Sequence, residues 1–320
     1  MKKLVTAFLL LSISAVAQFD PPAGQTGSHA VYKDSSAIVA WASGCRVSRG
    51  YQNIANPGLG LASVGDSSMA IGPSDAGVVS LGDGGSAILT FNKAIANGAG
   101  YDFAVFENGF SDSYLELAFV EVSSDGINYF RFSAISNTQD TIQIGGFGTL
   151  DATKLNNLGG KYRAQYGTPF DLEELKNENG LDVNNITHVK IIDVVGSIEK
   201  AYATYDHNAN MVNDPWPTPF ASSGFDLEAL AVLNLKSDGV SENNFLSFSF
   251  YPNPASDEIV VKINESNPYT LTVLNMQGQI CGEYSVNGVC HIDLSHFQEG
   301  VYLLSVTSFN RCYVGKFTKM

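Results

Sequence analysis

Two groups of oxygen-bearing side chains have the types and spacing of binding chemistry. The first is Asp206-His207-Asn208-Ala209-Asn210-Met211-Val212-Asn213-Asp214. Asp206, Asn208, Asn210 and Asp214 fall at positions 1, 3, 5 and 9 of a calcium loop, and Val212 offers a carbonyl at position 7. Hard oxygen donors at this spacing suit Ca²⁺. The segment departs from the pattern at position 6, which is Met211 rather than Gly, and at position 12, which is Pro217 rather than Glu. An ordinary Asn-rich loop has the same composition.

The second group lies in YDFAVFENGFSDSYLELAFVEVSSDGINYFRF, Tyr101 to Phe132. Its apolar runs, Phe103–Phe106 and Leu115–Val122, read as strands buried on both faces. Alternation places Asp102, Ala104, Phe106 and Asn108 on one face and Phe103, Val105 and Glu107 on the other. Leu115, Leu117, Phe119 and Glu121 align, with Glu116 opposite. Glu107 and Asn108, with Asp226 and Glu228 further on, therefore sit near strand ends as ligand-binding candidates. Glu107, Glu116 and Glu121 also offer acid and base for glycosidic cleavage. The structural alternative is pairing with Arg131 or Lys190, or with backbone N–H groups in turns.

A third feature is Pro215-Trp216-Pro217-Thr218-Pro219-Phe220. An exposed Trp216 beside acids suits sugar stacking; a buried one caps a core. Nucleophilic catalysis finds no support, since GxSxG, HExxH and P-loop patterns are absent. Gly82-Asp83-Gly84-Gly85 leads into a strand, whereas a phosphate cradle needs a helix there. His188 beside an apolar strand reads as structural.

These side chains must be positioned by β structure. Short apolar runs separated by Gly-rich turns predict an all-β chain. The cargo domain, residues 18–235, is expected to be a jelly-roll-like β-sandwich. A polar linker, 236–246, precedes a small Ig-like β-sandwich at 247–320. A helical turn is expected at Asp171–Lys176, and Phe225–Leu235 is read as a strand although its composition also permits a helix.

Residues 1–17, MKKLVTAFLLLSISAVA, read as a secretory signal peptide ending at Ala15-Val16-Ala17. Losing Lys2 and Lys3 leaves 16 basic against 32 acidic residues. That balance argues against nucleic acid and anionic membranes as partners. No later apolar run is long enough for a membrane span. The four cysteines, Cys45, Cys281, Cys290 and Cys312, include no CxxC pair. Cys281 and Cys290 flank a turn and could close a small loop.

The last quarter carries YPNP at Tyr251–Pro254, LTVLNMQGQ from Leu271, IDLSHFQEGVYLLSV from Ile292 and a basic final strand. In this order the motifs resemble the type A C-terminal sorting domain of the type IX secretion system. The resemblance implies export by that machinery through residues 247–320, and a secreted or outer-membrane-surface location. The cargo's VFENGF, LELAFVEVSSDG and GFDLEALAV segments resemble uncharacterised secreted or surface bacterial proteins. Its AIGPSD and VSLGDGGSAILTF segments are loosely similar to galactose-binding-like jelly rolls.

The expected cargo is thus a non-enzymatic, Ca²⁺-dependent module binding a glycan or another extracellular ligand. Asp206, Asn208, Asn210 and Asp214 are the expected metal set, and Glu107, Asn108, Trp216, Asp226 and Glu228 the expected ligand set. The alternatives are a glycoside hydrolase or lyase using Glu107, Glu116 or Glu121, and a structural surface or adhesin component.

Overall fold

The computed structural model describes residues 19–75, 77–236, 248–263, 269–308 and 311–320, without the side chains of 308–313. The signal segment and most of the linker lie outside these residues. The chain divides into two compact units, residues 1–237 and 238–320.

The first unit is a sandwich of two antiparallel sheets. One sheet has the order Val31–Tyr32, Tyr166–Phe170, Phe103–Glu107, Asp226–Val232 and Ala40–Trp41, with Val79–Ser80 also paired to Asp226–Val232. The other runs Gly44–Ser48, Ser86–Ile95, Ile186–Asp193, Ala118–Ser123 and Phe130–Arg131. Phe103, Val105, Phe170 and Leu230 of the first sheet meet Leu89, Val120, Val122, Val189 and Ile191 of the second in one core. Fully burying each such side chain stabilises the fold by about 1.5–3 kcal/mol.

Both outer faces carry cover as well, which is why the strands are apolar on both sides. Phe106, Ala104, Ala229 and Ala231 pack under Val31, Ile38 and Trp41. Leu115, Leu117 and Phe119 pack under Leu150, Leu155, Leu158, Val194 and Val212, supplied by the long excursions. The strand parity expected from the sequence places these residues on the faces they occupy. The second run begins its strand only at Ala118, because Leu117 N–H is held by Asp214 rather than by a neighbouring strand.

The expected helix at Asp171–Lys176 is a single 3₁₀ turn, Leu172–Leu175. Asp171 caps it by accepting from Glu173 N–H. Glu174 does not reach back to complete a capping box; it accepts from Asn157 at 2.6 Å. Asp226–Val232 is a strand, fixed by hydrogen bonds to a neighbour on each side.

The second unit is a smaller two-sheet β-sandwich. Phe248–Tyr251, Glu258–Ile263 and Val289–Asp293 form one sheet. Ile280–Val286, Tyr269–Asn275, Gly300–Ser308 and Arg311–Lys319 form the other. Ile259, Val261, Leu271, Val273, Leu304, Val306 and Phe317 fill the space between. The LNMQGQ turn closes because the Asn275 carboxamide accepts from both Gln277 and Gln279 N–H, with Gly278 at φ +80°. Cys281 and Cys290 stand on strands of different sheets and are both free thiols, so the small loop they could have closed is not formed. The side chain of Cys312 lies outside the described residues.

Candidate functional site

Strand register gathers carboxylates at one end of the larger sandwich. Glu107 ends its strand opposite Leu227, and Asp226 begins its strand opposite Ser80. Asp193 ends its strand opposite Ala118, two residues after Glu116. Asp83 lies in the tight turn before Ser86–Ile95, and Asp214 comes in from the long loop. All six are buried.

Three of the six are committed to holding backbone. Asp83 accepts from Ile54 N–H at 2.8 Å and Trp216 Nε1 at 3.0 Å. Asp193 accepts from Gly84 N–H at 2.9 Å and Phe225 N–H at 2.7 Å. Asp214 accepts from Leu117 N–H at 2.7 Å. Burial pushes all three carboxyls above their ordinary range, and those hydrogen bonds oppose the push.

Glu107, Glu116 and Asp226 are held differently. One oxygen of Glu107 accepts from Gly109 N–H at 2.7 Å; the other, Oε1, is buried and meets no donor. A Cβ at Gly109 would lie 2.8 Å from the Glu107 carboxylate and push it aside. Asp226 is reached by the Ser80 hydroxyl and the Asn108 side chain, with Arg49 lending a weaker attraction. Burial raises its carboxyl to about 6. Glu116 is raised to about 8 by burial and then by Asp226, with no hydrogen bond holding it down. Glu107 is raised well above the ordinary range by its complete burial, then by Glu116, Asp226 and Asp214. A buried carboxylate without a partner costs several kcal/mol, so this set holds protons or attracts a cation.

The Tyr114 phenol stands among the same groups, pushed up by burial and by Glu116, Asp214, Glu107 and Asp226. Its hydroxyl donates to Gly146 O at 3.3 Å, tying the site to the excursion. Around it stand exposed aromatic rings. Phe110 packs beside Tyr114, and Phe147 beside Phe220, with ring centroids 5.5 and 6.0 Å apart. Phe110 is 83% exposed and Phe147 79%.

The structure therefore brings Glu107, Asn108 and Asp226 together, with Asp214 behind them. Glu116, proposed from sequence only as an acid or base, joins them. Glu228 does not, because the bulge between Leu227 and Ala229 turns it toward Ser74. Trp216 is buried, with Nε1 bonded to Asp83, so its ring caps the core and offers no face for sugar stacking. Glu121 is removed from the acid–base set: it pairs with Arg131 at 2.7 Å and lies 3.7 Å from Lys190.

The 1, 3, 5, 9 spacing does not gather around one point. Asp206 accepts from Asn208, Asn210 and Ser136 N–H, as a turn-forming residue does. Asp214 points instead at Leu117. Among the described residues, no group of three or more His, Cys, Asp or Glu side chains is placed to hold a metal ion. A larger cavity, about 420 Å³, lies apart from these acids and is lined by Arg46, Thr90, Tyr129 and His188.

The second unit is a small two-sheet sandwich. Residues 249–320 match the secretion system C-terminal sorting domain, so this tail is the type IX sorting domain and the protein is exported to the cell surface or beyond. No curated protein matches the chain. Among solved structures it is similar to a "Biofilm associated protein - BSP domain", at 12% identity over 89% of this chain and 52% of that one, with a TM-score of 0.22. It is likewise similar to the Ruminococcus gnavus β-glucuronidase, at 10% identity over 88% and 44%, with a TM-score of 0.22. The chain spans about half the length of these structures, and likeness at this level carries no argument about ligand or activity. No described helix is long and apolar enough to cross a membrane.

Proposed function

We propose that the exported cargo is a Ca²⁺-dependent binding module whose acidic end meets an extracellular ligand. The observation that carries this reading is the buried Glu107 Oε1 without a donor, among Glu116 and Asp226. Oxygen-only donors suit a hard cation, and Ca²⁺ takes 6–8 of them in flexible geometry. Glu107, Glu116, Asp226 and the Asn108 amide oxygen supply the protein's share. Water and ligand hydroxyls supply the rest. Phe110, Phe147 and Phe220 support a glycan as that ligand, since exposed rings stack on sugar faces.

The test is a thermal melt of the mature protein at pH 8, with chelator and with added calcium. Calcium is expected to raise the midpoint in wild type and not in Glu107→Gln. An unchanged wild-type midpoint would sink the metal reading. A glycan array with and without calcium then tests the ligand class.

One observation favours a second reading. Glu116, raised to about 8 beside Glu107, is a carboxyl protonated at neutral pH, as a general acid in glycoside cleavage must be. Turnover on a polysaccharide panel, lost in Glu116→Gln, would establish it in place of simple binding.

A further inference from the structure

We propose that the cavity beside Lys161 is a second binding site, which takes the carboxylate group of a small organic acid or acidic sugar. The loop before the strand Tyr166–Phe170 carries three residues in the left-handed region, Asn157 at φ 52°, Gly160 at 77° and Gln165 at 73°. Gly160 cannot be replaced, because a Cβ there would lie 1.8 Å from Glu116 O. This path tucks Lys161 inside at 4% exposure, where lysines are rarely found unpaired.

The cavity it enters has a volume of about 60 Å³ and is shared by Asp20, Tyr101, Asn157, Thr168 and Glu174. The acids in it already have partners. Asp20 is bonded to His29 Nδ1 at 2.7 Å. Glu174 accepts from Asn157 at 2.6 Å. The donors do not. The Thr168 hydroxyl is buried without a partner. Lys161 faces the Tyr162 ring, 5.5 Å from its centroid, and among the described residues it makes no ion pair. Asp20 is the charge that attracts it, from a distance.

No acceptor in the cavity bonds to the Thr168 hydroxyl, and none is paired with the Lys161 ammonium. A carboxylate supplies two oxygens, one for the ammonium and one for the hydroxyl, and its charge offsets that of a buried cation. Burial lowers the Lys161 ammonium to about 8. A bound carboxylate favours the charged form, so binding must raise that midpoint, and affinity must fall as pH rises above it. Tyr101, Tyr162, Asp20 and Glu174 are the other titrating groups facing the cavity.

The experiment follows the Lys161 side-chain signal by NMR in the full mature chain, titrated with acetate and, separately, with glucuronate. Chloride at equal ionic strength is the control. A saturable acetate shift with a raised Lys161 midpoint is expected, with the signal assigned by its loss in Lys161→Met. Thr168→Val keeps the lysine and should weaken acetate about fivefold to tenfold. A glucuronate response identifies a sugar carboxylate as able to reach the site; a response to acetate alone restricts it to small acids. The proposal is overturned if ~0.1 M acetate gives no more shift than chloride, which means only water sits there. It is equally overturned if Thr168→Val leaves the isotherm unchanged.

Discussion

The loop Asp206–Asp214 and the end of the sandwich around Glu107 are both rich in side-chain oxygen, and they differ in what those oxygens already do. Asp206 has calcium-loop spacing, but its carboxylate is occupied by three backbone N–H groups. Glu107 belongs to no spacing motif, and one of its oxygens has no donor at all. Binding capacity follows unsatisfied acceptors in a buried setting. Spacing along the chain does not measure it.

The sharpest way to break that comparison is through a carboxylate committed to backbone. Asp193→Ala leaves Gly84 and Phe225 N–H groups without an acceptor and should cost roughly 2–4 kcal/mol, with or without calcium. Denaturant unfolding measures it, and Asp193→Asn, which keeps an acceptor oxygen, should cost less. Calcium-dependent loss would place Asp193 with the ligands.

Glu107→Gln should act in the opposite direction once chelator is present. Replacing a buried carboxyl that must take up a proton to fold is expected to stabilise the metal-free protein at pH 8 by about 1–2 kcal/mol, while abolishing the calcium response. Destabilisation in chelator would show that Glu107 is already satisfied.

The pH profile separates the same two regions. Asp226 at about 6 and Glu116 at about 8 stand above their unfolded values of roughly 4. The metal-free folded state then holds more protons than the unfolded chain across that window. Stability is therefore greatest at its acidic side and is lost as pH rises from about 4 to about 8. Calcium should restore it at pH 8 and do little at pH 5. A metal-free midpoint that climbs with pH over this range would refute the assignment.

The smallest effect is expected from Asp206→Ala, about 1–2 kcal/mol from a lost turn, identical with and without calcium. A loss seen only with calcium would return the metal to the loop.

Much of the scaffold was legible in the sequence. Alternation put Phe103 and Val105 in the central core and Ala104 and Phe106 on the covered face, as side-chain periodicity dictates. The sorting tail was legible through its turn chemistry, above all Asn275 and Gly278. The site was legible in part. Glu107 and Asn108 were marked because a strand ended there, and Asp226 because another began. Glu116 was read only as an acid or base, and its closeness to Asp226 comes from strands of two different sheets meeting at one end of the sandwich. For Trp216 the sequence left sugar stacking and core capping both open, because its prolines mark only a rigid loop; that loop folds inward onto Asp83. Lys161 carried no signal, since its burial depends on left-handed residues that the local sequence does not announce.

The strand Asp226–Val232 starts at the acidic end and runs away from it, and the chain then continues to Lys236 and the sorting tail. Seven residues of strand span about 23 Å. The carboxylates and their aromatic rim thus lie at the opposite end of this unit from the point where its last strand stops, so the chain's exit occupies none of the acidic end.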